Sequence, residues 1–248
     1  MSMTEFRVVI PARYDSSRLP GKALRELCGH TMLEHVWRIA TASAAVEVLI
    51  ATDDRRIFDS ARQLGATAVM TAGSHPSGTD RIAEVARDRG WAAETIVVNV
   101  QCDEPMLPPE LINQVAALLS EQGDIATLAI PMEPDADFRD PNIVKVVVNE
   151  SGKAMYFSRA PIPHNRADPT RPAGMLRHIG LYAYRVHALQ RLCGLPPCRL
   201  ERVERLEQLR ALWAGMRIDV AVAVAQPGPG VDTEEDLVTV DKLMRAGL

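Results

Sequence analysis

Short apolar runs and amphipathic stretches alternate through the first half of the chain. Val8 to Ile10, Val48 to Ala51, Thr67 to Met70 and Thr95 to Val100 have the length and composition of strands, and near-continuous apolar runs of that kind suit strands covered on both faces. Between them, about Met32 to Ala42, Arg55 to Leu64, Thr79 to Arg89 and Pro109 to Leu119 carry apolar residues at helical spacing. Thr52-Asp53-Asp54 offers short polar side chains at one helix start, and Pro109 opens another where a missing N–H does no harm. Strand and helix in alternation predict an α/β fold, a Rossmann-like, mostly parallel sheet with helices on both faces.

After residue 130 the spacing shortens. Val144 to Val148, Ala154 to Phe157 and Ile179 to Tyr184 are β-like, and Pro161 to Pro172 is a proline-rich loop without periodicity. Residues of about 131 to 200 are therefore expected to form an insertion within a single 1–248 domain, building a substrate wall and the subunit contact of a homodimer. Val203, Leu206, Leu209 and Trp213 recur at helical spacing, Ile218 to Ala225 returns as a core strand, and Thr233 to Arg245 closes as a helix.

Composition narrows the function classes. With 28 Lys and Arg against 32 Asp and Glu, the formal net charge is -4, which disfavours nonspecific nucleic-acid binding. No apolar stretch approaches the roughly 20 residues that span a bilayer, so no membrane partner is expected and the protein is expected to be cytoplasmic. The four cysteines form neither C-x-x-C pairs nor zinc-ligand spacings.

Chemistry concentrates where strands end. The first strand runs into a turn-rich loop bearing Arg13, Arg18 and Lys22, at the strand edge where open α/β sheets bind ligands. Arginine meets phosphate oxygens in pairs and lysine as a point charge, so the loop reads as a polyphosphate cradle. It is not a Walker A loop, because Ala23 follows Gly21-Lys22 and Ser16 stands five before Gly21. The run Thr95 to Val100 delivers Gln101, Asp103 and Glu104, and the acidic groups among them suit magnesium. Asp232 lies on a loop after Gly228-Pro229-Gly230. Asp232 with Glu235 has capping-box spacing, but Thr233 with Asp236 offers the same cap one residue later and frees Asp232 for a metal. Between Arg159 and His178, five potential cations face only Asp168, a local field that suits an anionic small molecule. No G-x-G-x-x-G turn follows a strand, which argues against a nicotinamide oxidoreductase.

Several collinear motifs carry a resemblance over nearly the whole chain. They are Arg13 to Lys22, Ser77-Gly78-Thr79-Asp80-Arg81, Asn99 to Pro105, Tyr156 to Pro163, Arg177 to Tyr182, Leu206 to Arg210, and Gly230 to Leu237. In these the chain resembles the 3-deoxy-manno-octulosonate cytidylyltransferases, or CMP-Kdo synthetases, of nucleotide-diphospho-sugar transferase fold. The resemblance implies magnesium-dependent transfer of CMP from CTP to Kdo, giving CMP-Kdo and pyrophosphate for lipopolysaccharide assembly. It further implies Ala12, Arg13, Lys22, Ser77, Gly78, Thr79, Arg81 and Gln101 at the nucleotide. Arg159, His178, Tyr182, Glu207 and Gln208 are implied at the sugar, and Asp103 and Asp232 at the metal. Cytidylyl transfer to another acid sugar, such as 8-amino-Kdo or a sialic acid, and noncatalytic nucleotide binding stand as alternatives. Two departures are visible: Cys102 stands where the family usually has glycine, and His164-Asn165 replaces an aromatic residue followed by Asp. A cysteine forced to positive φ would cost about 1–2 kcal/mol.

Overall fold

A sheet of nine strands divides two groups of helices. The computed structural model describes residues 5–16, 18–119, 123–133, 137–171 and 173–247, so Ser17 and Pro172 of the loops above lie outside it. The first half contains β1 (Phe6–Ala12), β2 (Glu26–Leu27), β3 (His30–Thr31), α1 (Met32–Thr41), β4 (Glu47–Thr52), α2 (Arg55–Gln63), β5 (Thr67–Met70), α3 (Gly78–Asp88), β6 (Ile96–Asn99) and α4 (Pro109–Leu118). The second contains β7 (Ile125–Pro131), β8 (Lys145–Val148), β9 (Ala154–Ser158), β10 (Leu176–Arg185), α5 (Val186–Cys193), α6 (Arg199–Glu204), α7 (Gln208–Trp213), β11 (Ile218–Val222) and α8 (Glu234–Arg245).

The main path runs β11-β7-β10-β6-β1-β4-β5, with β8 on β10 and β9 on β8. The pairs β1/β4, β1/β6, β4/β5 and β11/β7 are parallel, whereas β10 runs antiparallel to both β6 and β7. Strand alternation sorts the core. Val8, Ile10 and Val98 face α1, α2 and α4, while Val9 and Val97 face α3 and α5. A third cluster, including Leu19, Leu27, Val231 and Val240, fastens the loop after β1 and α8 together.

Two expectations need correction. The region 131–200 does not form one insertion, because β10 lies inside the main sheet and α5 buries Val186, Leu189 and Leu192 in the core. Only the β8–β9 hairpin stands off the main strand path. The helical spacing from Val203 to Trp213 belongs to two short helices, broken where Arg205 takes a left-handed turn at φ 52°. Leu206 and Leu209 are buried, whereas Val203 and Trp213 are exposed. Among the described residues no helix is long and apolar enough to cross a membrane.

Candidate active site

From β1 the chain proceeds outward through β4 and β5 and then returns to the other side of β1 as β6. That reversal opens a crevice at the strands' carboxyl ends, the place where such sheets take ligands. A cleft of about 570 Å³ lies there. Ala12 and Arg13 enter it from β1, Gln101 and Asp103 from β6, Ser77, Gly78, Thr79 and Arg81 from the start of α3, and Glu207 and Gln208 from the start of α7. Tyr182, Lys22 and Asp232 also lie on its walls.

Local geometry explains the convergence. Gly21, at φ 68°, lies under Tyr14, where a Cβ would approach the ring to 3.2 Å. The tight turn then starts a single 3-10 turn at Lys22–Leu24. Ser77 caps α3 by accepting from the Asp80 N–H at 3.2 Å, and Gly78 allows that helix start to sit against Pro11.

Lys22 Nζ donates to Asp103 Oδ2 at 2.6 Å and to Asp232 Oδ1 at 3.0 Å. Burial pulls the lysine pKa down, but Asp103 first and then Asp232 outweigh it and hold the group above its ordinary value. Arg18 meets the other oxygen of Asp232 at 2.9 Å. The Asp232 loop reaches this position because Gly228 and Gly230 lie flush on the turn after β6. A Cβ on Gly228 would stand 2.6 Å from Met106 Cβ, and one on Gly230 would stand 3.2 Å from Asp103 O. Val231 N donates to that same carbonyl at 2.9 Å. Thr233 and Asp236 form the capping box of α8, as the spacing predicts, so the Asp232 carboxylate is free to face Lys22.

Two carboxylates from separate segments thus already share one cation. Among the described residues no group of three or more His, Cys, Asp or Glu gathers as a metal site. A two-oxygen-donor set fits magnesium, which retains water and takes substrate phosphates as remaining ligands. Next to it, burial and then Asp103 raise the Glu104 pKa to about 7. Burial and then Asp103 also push the Cys102 thiol up to about 12, leaving it protonated. Cys102 escapes the strain considered above, because Cys28 and Arg205 are the described non-glycine residues at positive φ.

Sequence reasoning missed several supporting groups. Arg81 is buried and tied to Thr71 Oγ1 and, at 3.2 Å, to Asp53 Oδ1. His75, on the cleft wall, pairs with Glu84, whose carboxylate also accepts from Ala72 N. Burial raises the Glu84 pKa, but His75 and the Ala72 N–H outweigh it, leaving a net lowering. Asn99 also lines the cleft, and its signal was an amide ending an apolar run.

Arg159 and His178 stand apart from the other residues expected at the sugar. They are absent from the cleft's lining residues. Arg159 donates through Nε to Glu204 O at 2.8 Å and through Nη1 to Pro141 O at 2.7 Å, thereby tying down main chain. His178 lies between Phe157 and Tyr182, with ring centroids 5.0 and 5.3 Å away, and its Nε2 pairs with Thr127 Oγ1 at 3.0 Å. Loss of water lowers its pKa to about 3. Its ring packs against these aromatic neighbours and is neutral at ordinary pH.

Comparison with known proteins gives the family and the fold. Residues 7–218 match the cytidylyltransferase family model. The chain is 52% identical to the 3-deoxy-manno-octulosonate cytidylyltransferase of Thioalkalivibrio sulfidiphilus, over 97% of this chain and 99% of that one. It is 49% identical to the Halorhodospira halophila protein of the same name, over 99% of each. A solved CMP:2-keto-3-deoxy-manno-octonic acid synthetase complexed with CTP superposes with a TM-score of 0.91 at 42% identity, covering 98% of this chain and 100% of that one. A 4-diphosphocytidyl-2C-methyl-D-erythritol synthase, at TM-score 0.64 and 17% identity over 97% and 99% of the two chains, shares the fold alone.

Proposed function

Because the chain belongs to the 3-deoxy-manno-octulosonate cytidylyltransferase family, we propose that it transfers CMP from CTP to Kdo, with magnesium, for lipopolysaccharide assembly. The observation that carries this reading is the Lys22 ammonium held between Asp103 and Asp232 at the mouth of a cleft. The cation-rich loop, Glu207 and Gln208 line the same cleft. Transfer of this kind requires alignment and charge neutralisation more than covalent catalysis.

Arg13 and Lys22 bind the triphosphate, and the α3 start with Arg81 and Gln101 holds the nucleoside. Tyr182, Glu207 and Gln208 orient the sugar. The anomeric hydroxyl oxygen bonds to the α-phosphorus and gives up its proton to water as the bond to the bridging oxygen breaks, and pyrophosphate departs against Arg13 and Lys22. Asp103 and Asp232 would hold the magnesium, which polarises phosphate and lowers the pKa of the attacking hydroxyl. We place the enzyme in the cytoplasm as a homodimer. The exposed Met155, Val203 and Trp213, on the packed elements β9, α6 and α7, support a subunit contact.

Pyrophosphate release from CTP and magnesium is the test, run with a panel of acid sugars. Release with Kdo well above that with 8-amino-Kdo or a sialic acid is expected. Preference for another sugar would reassign the acceptor, and CTP binding without release would leave only a nucleotide-binding protein.

A further inference from the structure

Strand β6 carries an amide where its neighbours are apolar. Val97 and Val98 are fully buried on opposite faces of the sheet, and Asn99 follows them with 6% exposure. Asn99 pairs across the sheet with Tyr182 of β10. Partners in antiparallel register present their side chains on one face, and both residues line the cleft.

Both also carry an unmet polar atom. Asn99 Oδ1 and the Tyr182 hydroxyl are buried and have no hydrogen-bond partner. Buried polar groups are almost always paired, so two orphans on register-paired residues that both line one cleft call for an explanation. An apolar residue at position 99 would continue the strand's pattern without leaving an acceptor stranded. Neighbouring polar groups are otherwise spoken for: Gln101 Nε2 donates to Gly180 O at 3.1 Å, and His178 pairs with Thr127.

The geometry points to Asn99 as a substrate-contacting residue that, with Tyr182, recognises hydroxyl groups of the acceptor sugar. This rests on the function proposed above and adds a residue to it. A sugar hydroxyl can donate to the Asn99 carbonyl oxygen and accept from the Tyr182 O–H, or two vicinal hydroxyls can divide those tasks. An acceptor lacking the hydroxyl leaves both atoms unpaired, and a site built around buried polar groups discriminates strongly on that basis.

Asn99→Leu and Tyr182→Phe each remove an orphan with little change of shape. Each should raise the KM for Kdo about tenfold or more, with CTP affinity changed less than about twofold and a melting temperature equal to or above wild type. The double variant should lose less than the product of the single losses, because the two atoms serve shared groups. Kdo KM unchanged in both variants overturns the inference. So does a lower melting temperature in Asn99→Leu with unchanged KM, which would make the amide structural. Wild type assayed in parallel separates the two levels, since wild type inactive with Kdo refutes the function and an active wild type leaves the variants to judge Asn99.

Discussion

Replacing Lys22 by methionine keeps most of the side-chain volume and removes the cation between Asp103 and Asp232. The lysine side chain is 15% exposed, Asp103 27% and Asp232 49%. The Asp232 bond is therefore well screened and contributes little, within the roughly 0–1 kcal/mol of exposed pairs, and Arg18 remains to meet that carboxylate. The 2.6 Å bond to Asp103 is the larger loss, about 1.5–3 kcal/mol for a charge-assisted hydrogen bond. A net loss of about 1.5–4 kcal/mol follows, and at about 2–4 °C per kcal/mol for a chain of this size, the melting temperature should fall by about 3–16 °C. Magnesium should then restore stability, because a divalent ion takes the vacated place and stabilises by roughly 2.7 kcal/mol at a hundred times its Kd. Thermal unfolding of wild type, Lys22→Met and Lys22→Met/Asp103→Asn, with and without magnesium, reads this without any turnover. The double variant should be more stable than the single and indifferent to magnesium. A single variant that melts with wild type, or fails to respond to the ion while wild-type turnover depends on it, would refute the shared-cation reasoning.

Three further outcomes are expected. Gly228→Ala places a Cβ 2.6 Å from Met106 Cβ, so the Asp232 loop must shift; pyrophosphate release should fall at least about tenfold with the fold intact by circular dichroism, and near-normal turnover would show that the loop's fit does not position Asp232. His178 has a folded pKa of about 3 against an ordinary 6.5, lowered by loss of water, so the unfolded chain binds the extra proton between those values. Its contribution to stability is full above about pH 6.5 and falls as the pH drops, by at most about 1.4 kcal/mol per pH unit; urea unfolding at pH 7, 6 and 5 should show a shallower loss in His178→Gln. Cys28 takes φ 49° ahead of Gly29 at φ 82° in the β2–β3 turn, a hairpin geometry that favours Asn-Gly; Cys28→Asn should gain about 1 kcal/mol in chemical denaturation, and a loss would mean the turn carries no strain.

Much of this protein was written in residues close to one another. The apolar runs from Val8 to Val100 and the amphipathic stretches between them specify strand, helix and mostly parallel order, because periodicity acts over one or two turns of chain. The Thr233–Asp236 cap was equally legible, since a cap is made by residues three apart. The motif loops likewise marked which residues would line the cleft. What sequence could not decide was pairing at a distance and the loss of water that follows it. Lys22 meets Asp103 and Asp232 across 81 and 210 positions, brought together by the glycine contacts with the β6 turn, the Val231 N–H on the Asp103 carbonyl and the apolar cluster under the loop. Residues 176–185 resembled part of an insertion by spacing, yet antiparallel pairing with β6 and β7 makes them a core strand. Arg159 and His178 resembled cations on a positive stretch, until folding committed one to backbone carbonyls and placed the other between aromatic rings. The unmet Asn99 oxygen exists only in the folded chain, because whether a polar atom is paired depends on what the tertiary structure sets beside it.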